Sequence, residues 1–268
     1  MTIMNSSFVD SPQRQTPGEL AFLCNVCGAH NVCNADVIHR EGGGCNICGA
    51  TVRFRSLAAI LTERLFGSVT TLVDLEINRD IVGVGMSDAP CYAVPLHSKL
   101  SYTNTFYHCA PLLDITRLDE KWVNTCDFIV SSDVFEHVAP PVQLAFDNLY
   151  RILKPGGVVV FSVPFSLESD TREHFPNLHA FSIHEEPDGN WLLKNTTKTG
   201  QHEEFRDLVF HGGPGTTLEM RLFSLAALLK HFETAGFIDV KVHNDALFEH
   251  GIFWLHPWSV TMSARKHA

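Results

Sequence analysis

Hydrophobic and polar positions follow two alternating periods along most of the chain. Short runs of apolar and β-branched residues are typical of buried strands, and the stretches between them carry apolar residues at helical spacing. The runs predict strands over residues 80–85, 126–132, 158–164, 237–242 and 258–264. The helical stretches cover residues 56–66, 142–153 and 218–235. This alternation predicts an α/β fold with a mostly parallel sheet, ending in an antiparallel pair of strands.

Three segments fall outside that alternation and define the predicted domains. Residues 1–18 are polar and lack periodicity, which predicts a flexible N-terminal tail. Residues 19–54 contain most of the cysteines and form a small module before the main domain of residues 55–268. Within that domain, residues 165–215 are long, polar and rich in histidine. Such an insertion is typical of a lid over a binding site.

The small module contains two CxxC pairs separated by 17 residues. This spacing predicts a structural Zn²⁺ bound by four thiolates, which would also stabilise a module too small for a large core. The ligands are Cys24, Cys27, Cys45 and Cys48. Gly28 and Gly49 follow the pairs and permit the left-handed backbone that such turns use. The alternative is four buried free thiols; Cys33 is interpreted as a spare thiol, and His30 and His39 as substitute ligands.

Composition and charge narrow the functional classes. The chain has 268 residues, 45% of them hydrophobic, and a net charge of −10. An acidic balance disfavours a nucleic-acid partner, because phosphate binding depends on Lys and Arg. No apolar run reaches the length of a membrane span, and the N-terminus does not have the pattern of a secretory signal. We therefore expect a cytoplasmic protein with no membrane partner.

Four segments carry a resemblance to a known family. Residues 80–88 join a strand to a glycine turn, residues 102–108 cover a second strand, and Leu113-Asp114-Ile115-Thr116 follows a third. The fourth segment ends a strand in Asp133-Val-Phe-Glu136-His137, and a helix then leads to Leu153-Lys-Pro-Gly-Gly157. This combination resembles the class I S-adenosylmethionine-dependent methyltransferases, here with an N-terminal zinc-binding module. The resemblance implies a Rossmann-like, seven-stranded sheet that binds the cofactor at the carboxyl ends of its strands.

The resemblance also implies a set of cofactor-binding residues. They are Gly83, Gly85, Ser87, Asp88, Asn104, Asp114, Ile115, Asp133 and Phe135. Two departures from the family pattern stand out. Ser87 occupies the place of the third glycine, and the second strand lacks the usual ribose-binding carboxylate. Asn104, Tyr107 or His108 would have to replace that carboxylate.

Methyl transfer requires an acceptor held in line with the methyl group and, for a hydroxyl, a base that removes its proton. His211 in the predicted lid and His137 after the fourth strand are the candidate bases, since His titrates near neutral pH. Each also has a structural interpretation, as a surface or turn-ordering residue. The histidines and carboxylates of the lid are also candidates to hold a divalent metal that chelates a diol. The favoured function is methylation of a small polar molecule, such as a sugar or natural-product intermediate, most simply at oxygen.

Two other functions remain open. One is methylation of rRNA or tRNA, with the zinc module binding the RNA, although residues 21–67 carry a net charge of only +1 and residues 168–207 carry −5. The other is a methyltransferase-like protein that has lost its cofactor and serves as a partner protein. The pattern does not indicate an oligomeric state.

Overall fold

The computed structural model describes residues 18–211 and 217–268. Its strands are β1 (Glu19–Leu23), β2 (His30–Asn34), β3 (Asn78–Met86), β4 (Leu100–Thr105), β5 (Cys126–Ser132), β6 (Leu153–Ser162), β7 (Phe165–Ser166), β8 (Arg172–Glu173), β9 (Ala180–Glu185), β10 (Trp191–Thr196), β11 (His202–Phe205), β12 (Phe210–His211), β13 (Thr217–Leu218), β14 (Arg221–Ser224), β15 (Ile238–His243) and β16 (Thr261–Arg265). The α-helices are α1 (Val52–Phe66), α2 (Pro90–Lys99), α3 (Gln143–Ile152) and α4 (Leu225–Thr234). None of these helices is both long and apolar enough to cross a membrane.

Six strands form the central sheet in the order β15-β16-β6-β5-β3-β4. The strands β4, β3, β5 and β6 are mutually parallel, and β16 is antiparallel to both of its neighbours. The α/β architecture and the antiparallel pair at the far end of the sheet are thus confirmed. Because parallel strands end at the same edge, the residues that follow β3, β4 and β5 lie side by side.

Two details of the prediction are wrong. The described residues give the central sheet six strands instead of seven, because the segment around Asp114 forms no strand beyond a bridge between Phe106 and Leu112. The helix predicted over residues 218–235 begins only at Leu225. The residues before it form β14, which pairs with β7 and β8, and the Ser224 hydroxyl then caps the helix by accepting from the Ala227 amide at 3.1 Å.

The cysteine-bearing module shares a core with the sheet. Cys24 and Cys45 belong to the same buried cluster as residues of α1, α2, β4 and β5, including Tyr92 and Phe128. Helix α1 joins the two parts; it begins after Thr51, earlier than predicted, and ends at Gly67, which has the left-handed φ of 81° expected for a stop. The module and the sheet are therefore packed as one structural unit.

A fully buried arginine fixes this junction. The Arg55 guanidinium donates to the carbonyls of Gly43 and Ala50 in the module, at 2.8 and 2.5 Å. It also donates to the carbonyls of His250 and Gly251 near the C-terminus, at 2.8 Å each. Through these contacts Arg55 joins the module to the C-terminal part of the main domain.

Replacing this arginine should destabilise the whole chain. Arg55→Met keeps much of the side-chain volume but leaves four buried carbonyls without this donor, and each unmade buried hydrogen bond costs roughly 1–3 kcal/mol. We expect the free energy of unfolding to fall by at least about 3 kcal/mol, measured by urea denaturation. The matched control is Arg172→Met, whose side chain is 62% exposed. Equal stability of the two variants would contradict the role given to Arg55.

Candidate active site

The glycine turn after β3 surrounds a buried carboxyl group. Asp88 is 5% exposed and accepts hydrogen bonds from the hydroxyls of Tyr92, at 2.8 Å, and Tyr102. A Cβ atom on Gly85 would overlap the Asp88 carboxylate and the Tyr102 hydroxyl, so only glycine fits there. Burial raises the pKa of Asp88 to about 7, against the smaller lowering by the tyrosine hydroxyls.

Ser87 and Asn104, which mark the two departures from the family pattern, are adjacent in space. Ser87 adopts a left-handed φ of 58°, so it takes the backbone conformation for which glycine is usual, and its amide donates to the Thr105 carbonyl at 2.7 Å. The Asn104 side chain accepts from the Asp88 amide and donates to the Asp88 carbonyl, both at 2.9 Å. Asn104 therefore clamps the turn to β4. Tyr107 and His108 follow β4 and are exposed, with their rings in edge contact.

Other predicted cofactor residues are dispersed between the strand ends and the core. The Asp114 carboxylate accepts from the Thr116 amide at 2.8 Å, which closes a small turn beside β4. The side chain of Ile115 is buried, and Phe135 is buried completely against Phe146 and Phe161. Gly83 faces the ring of Phe128 inside the sheet, where a Cβ atom would not fit. These four residues therefore differ in how much of them can face a ligand.

The cysteine-bearing module sends two arginines to the carboxyl end of β5. Arg40 makes a two-pronged ion pair with Asp133, at 2.5 and 2.9 Å, and Asp133 has a left-handed φ of 53°. Arg53 bonds the Ser132 hydroxyl, lies 3.4 Å from Asp133 and pairs with both oxygens of Glu41. Two positive and two negative groups thus close a network between the module and the sheet.

A second group of side chains meets the same turn from the predicted lid. One ligand atom each from Glu136, His137 and His211 lie within 4.8 Å of one another. Strands β12 and β13 pair His211 with Thr217, and the rings of His137 and His211 are 4.8 Å apart at 88°. The structure therefore brings together the two histidines that the sequence singled out as candidate bases.

Glu219 and the chain around it order this cluster. Glu219 bonds His211 Nε2 at 3.0 Å and His174 Nε2 at 2.8 Å. His137 Nδ1 bonds the Leu218 carbonyl at 2.8 Å. The buried Arg221 donates to the carbonyls of Phe135 and Val138, on either side of the Glu136–His137 pair.

Burial dominates the electrostatics of the cluster. Glu136 is completely buried, and both of its carboxylate oxygens lack a hydrogen-bond partner in residues 18–211 and 217–268. Burial, with a smaller contribution from the nearby Asp133, raises the pKa of Glu136 to about 8. Burial also lowers the pKa of His137. An unpaired carboxyl beside two imidazoles is suited to binding a proton or a cation.

The four cysteines of the module also converge. Their sulfur atoms all lie within 4.8 Å of one another, with Cys24–Cys48 at 3.7 Å and Cys27–Cys45 at 3.6 Å. Gly28 and Gly49 have left-handed φ values of 76° and 74°, as predicted.

Sequence reasoning missed several residues of the site. Arg40, Glu136, Glu219 and Arg221 were not among its predicted site residues. The Arg40–Asp133 pair joins residues 93 positions apart, and no local spacing indicates it. Glu136 did carry a signal, since it is a charged residue within the apolar stretch that follows a buried strand.

Comparison with known proteins identifies the family. The methyltransferase domain profile matches residues 55–242. The chain belongs to the methyltransferase domain family. The malonyl-[acyl-carrier protein] O-methyltransferase of Marinomonas sp. (strain MWYL1) is 35% identical over 103 residues, which cover 38% of this chain and 32% of that protein. The family assignment confirms the enzyme class expected from the sequence, a methyltransferase that uses S-adenosylmethionine.

Solved methyltransferase structures resemble the chain more distantly. The sugar N-methyltransferase KedS8 from Streptoalloteichus sp. is 13% identical with a TM-score of 0.47, over 100% of this chain and 99% of that one. The 1,6-didemethyltoxoflavin-N1-methyltransferase of Burkholderia thailandensis, bound to S-adenosylhomocysteine, is 13% identical with a TM-score of 0.41. That match covers 79% of this chain and 77% of the other. Likeness at this level is too weak to carry a substrate from one protein to the other.

The buried carboxyl of the methyltransferase turn gives a pH prediction. The pKa of Asp88 is about 7 in the folded chain against an ordinary value of 3.8, so between these pH values the folded state holds the proton more tightly. Stability should therefore fall as the pH rises from 4 to 7, and Asp88→Asn should remove that part of the fall. Between pH 4 and pH 7 the free energy of unfolding of the wild type should fall by roughly 2–4 kcal/mol more than that of the variant, since one pKa unit corresponds to about 1.4 kcal/mol.

Urea denaturation at several pH values measures this difference. The control is Asp80→Asn, at the exposed amino end of β3. Curves of stability against pH that run parallel for wild type and Asp88→Asn would show that Asp88 is ionised throughout the range.

Proposed function

We propose that this chain transfers a methyl group from S-adenosylmethionine to a hydroxyl oxygen of a small polar molecule, such as a sugar or natural-product intermediate. One observation carries the proposal. The buried Glu136, with His137 and His211, lies at the carboxyl end of β5, where parallel sheets bind ligands. The Marinomonas relative is named as an O-methyltransferase, which agrees with an oxygen acceptor.

The proposed cofactor site follows the three adjacent strand ends. The close packing at Gly85 and the left-handed turn at Ser87 leave backbone at the end of β3 for the methionine and ribose parts. Asp114 is half-buried beside β4 and is proposed for the adenine amino group. Because the Asn104 amide already clamps the turn, we assign the ribose hydroxyls to Tyr107 or His108, which are both exposed.

Residues of this chain then orient the acceptor and remove its proton. When bound, S-adenosylmethionine supplies an activated methyl group. The acceptor hydroxyl is held near His211 and His137, in line with the sulfur–methyl bond. His211, oriented by Glu219, accepts the hydroxyl proton as the oxygen–carbon bond forms and the sulfur–carbon bond breaks. The electron pair of the broken bond stays on sulfur.

Binding of the product cofactor tests the central part of this proposal. Isothermal titration with S-adenosylhomocysteine should give one site per chain at micromolar affinity or tighter. Asp114→Asn should weaken binding by about tenfold or more, the cost of losing a hydrogen bond to a charged group. Asp80→Asn, at the opposite edge of the sheet, is the matched control.

The outcome separates the rival functions. Absence of binding by the folded wild type would contradict the enzyme proposal and favour a methyltransferase-like partner protein. Binding, followed by methylation of rRNA or tRNA but of no hydroxylated small molecule, would favour the RNA methyltransferase.

We also propose that the four cysteines hold a structural Zn²⁺. Tetrahedral Zn²⁺ with bonds of ~2.3 Å sets its sulfur ligands ~3.8 Å apart, which is close to the 3.6 and 3.7 Å of the two cysteine pairs. Four protein ligands leave no open position, so this ion would brace the module instead of acting on substrate.

Zinc content and thermal stability test this assignment. Purified protein should contain about one Zn²⁺ per chain by elemental analysis. Cys45→Ser should lose most of the metal and unfold at lower temperature, because metal binding is coupled to folding. Cys109→Ser changes an exposed thiol outside the cluster and should keep both properties. Full zinc retention by Cys45→Ser would rule out this ligand set.

A further inference from the structure

The carboxyl group of Glu136 lies in an environment that favours a positively charged partner. It is completely buried, and neither oxygen accepts a hydrogen bond from residues 18–211 or 217–268. A buried ionised group without a partner is costly and is usually paired or bound to a metal. His137 Nε2 lies 3.7 Å from Glu136 Oε1, and His211 completes a group whose ligand atoms are within 4.8 Å.

We propose that Glu136, His137 and His211 bind a divalent metal ion, at a second site distinct from the four thiols. Two imidazoles and one carboxylate form a mixed nitrogen and oxygen donor set, which suits ions such as Mn²⁺, Fe²⁺ or Co²⁺ better than it suits Ca²⁺. Three protein ligands leave positions open for oxygen atoms of a substrate.

The residues around the cluster have the arrangement that orients metal ligands. A ligating histidine commonly bonds a carbonyl or carboxylate through its other ring nitrogen, which fixes the tautomer and the ring. His137 Nδ1 bonds the Leu218 carbonyl at 2.8 Å, which leaves Nε2 toward Glu136. The Glu219 carboxylate orients the ring of His211 at 3.0 Å.

The surrounding charges also favour a cation. Asp133 and Glu219 add negative charge near Glu136. The Arg40 guanidinium, which acts on Glu136 through space, is itself paired with Asp133 and Glu41. The carboxylates near the cluster therefore favour a cation where the two histidines converge.

This inference rests on the proposed function and specifies its substrate class. A metal with open positions binds a molecule that offers two neighbouring oxygen atoms, such as a vicinal diol or a hydroxy acid. The bound hydroxyl loses its proton to water more easily, because the ion stabilises the alkoxide. That oxygen then takes the methyl group, and the electron pair of the sulfur–carbon bond stays on sulfur. With the ion in place, His137 and His211 hold metal and water receives the proton, so this inference replaces the histidine base of the proposed function and keeps its methyl donor and its oxygen acceptor.

Titration of the zinc-loaded full-length protein with Mn²⁺ tests the site. The signal of free Mn²⁺ in electron paramagnetic resonance reports how much is bound, and we expect one tight Mn²⁺ site per chain. Glu136→Gln and His137→Gln should each weaken binding by at least tenfold. The control, His184→Gln, alters an exposed lid histidine that bonds Ser182 and should bind Mn²⁺ as the wild type does.

Three readouts keep the interpretation unambiguous. Circular dichroism and thermal unfolding without Mn²⁺ establish that the variants fold, and Glu136→Gln should no longer gain thermal stability when Mn²⁺ is added. Absence of a tight Mn²⁺ site, or unchanged binding in both ligand variants, would overturn the inference. Titration with S-adenosylhomocysteine is run on the same samples. If Mn²⁺ binds and S-adenosylhomocysteine does not, the metal site stands and the proposed function fails.

Discussion

The turn that follows β5 is the point on which the rest of the site depends. Asp133 leaves the strand with a left-handed backbone, and Glu136 and His137 follow within one short turn. Such a turn would be strained in isolation, because non-glycine residues rarely adopt positive φ. It is held from two sides: Arg40 pairs with the Asp133 carboxylate, and Arg221 donates to the carbonyls on either side of Glu136 and His137. The sheet positions the turn, and these two arginines stabilise its backbone conformation.

The cysteine-bearing module therefore contributes to the candidate site. Arg55 ties it to the C-terminal segment through four carbonyls, and its cysteines lie in the same core as the strands β4 and β5. Arg40 and Arg53 extend from this anchored module to the end of β5. The module is thus connected through ion pairs to the turn that carries the candidate site.

The sequence correctly predicted those elements of the fold that are determined by neighbouring residues in the chain. Buried parallel strands such as β5 and β6 are continuous β-branched or apolar runs, and the CxxC pairs encode their own turns. The failures have long-range causes. Residues 218–224 have apolar residues at helical spacing, but pairing with β7 and β8 makes β14 a strand there. Arg40 bonds Asp133 across 93 positions and Glu219 bonds His174 across 45, and no short window of sequence shows such contacts. The hydrogen bonds of the Asn104 amide with the backbone of Asp88, across 16 positions, are likewise not evident from local pattern.

The ion-pair network around Asp133 and the buried Glu136, both at the end of β5, have different electrostatic roles. The Arg40, Arg53, Glu41 and Asp133 network is internally balanced, because two guanidinium groups pair with two carboxylates. Glu136 is completely buried, its oxygens accept no hydrogen bond from the described residues, and its carboxyl group lies beside two imidazoles. The chemical function proposed for this turn rests on this separation between a balanced ion-pair network and a buried carboxyl group that accepts no hydrogen bond from the described residues.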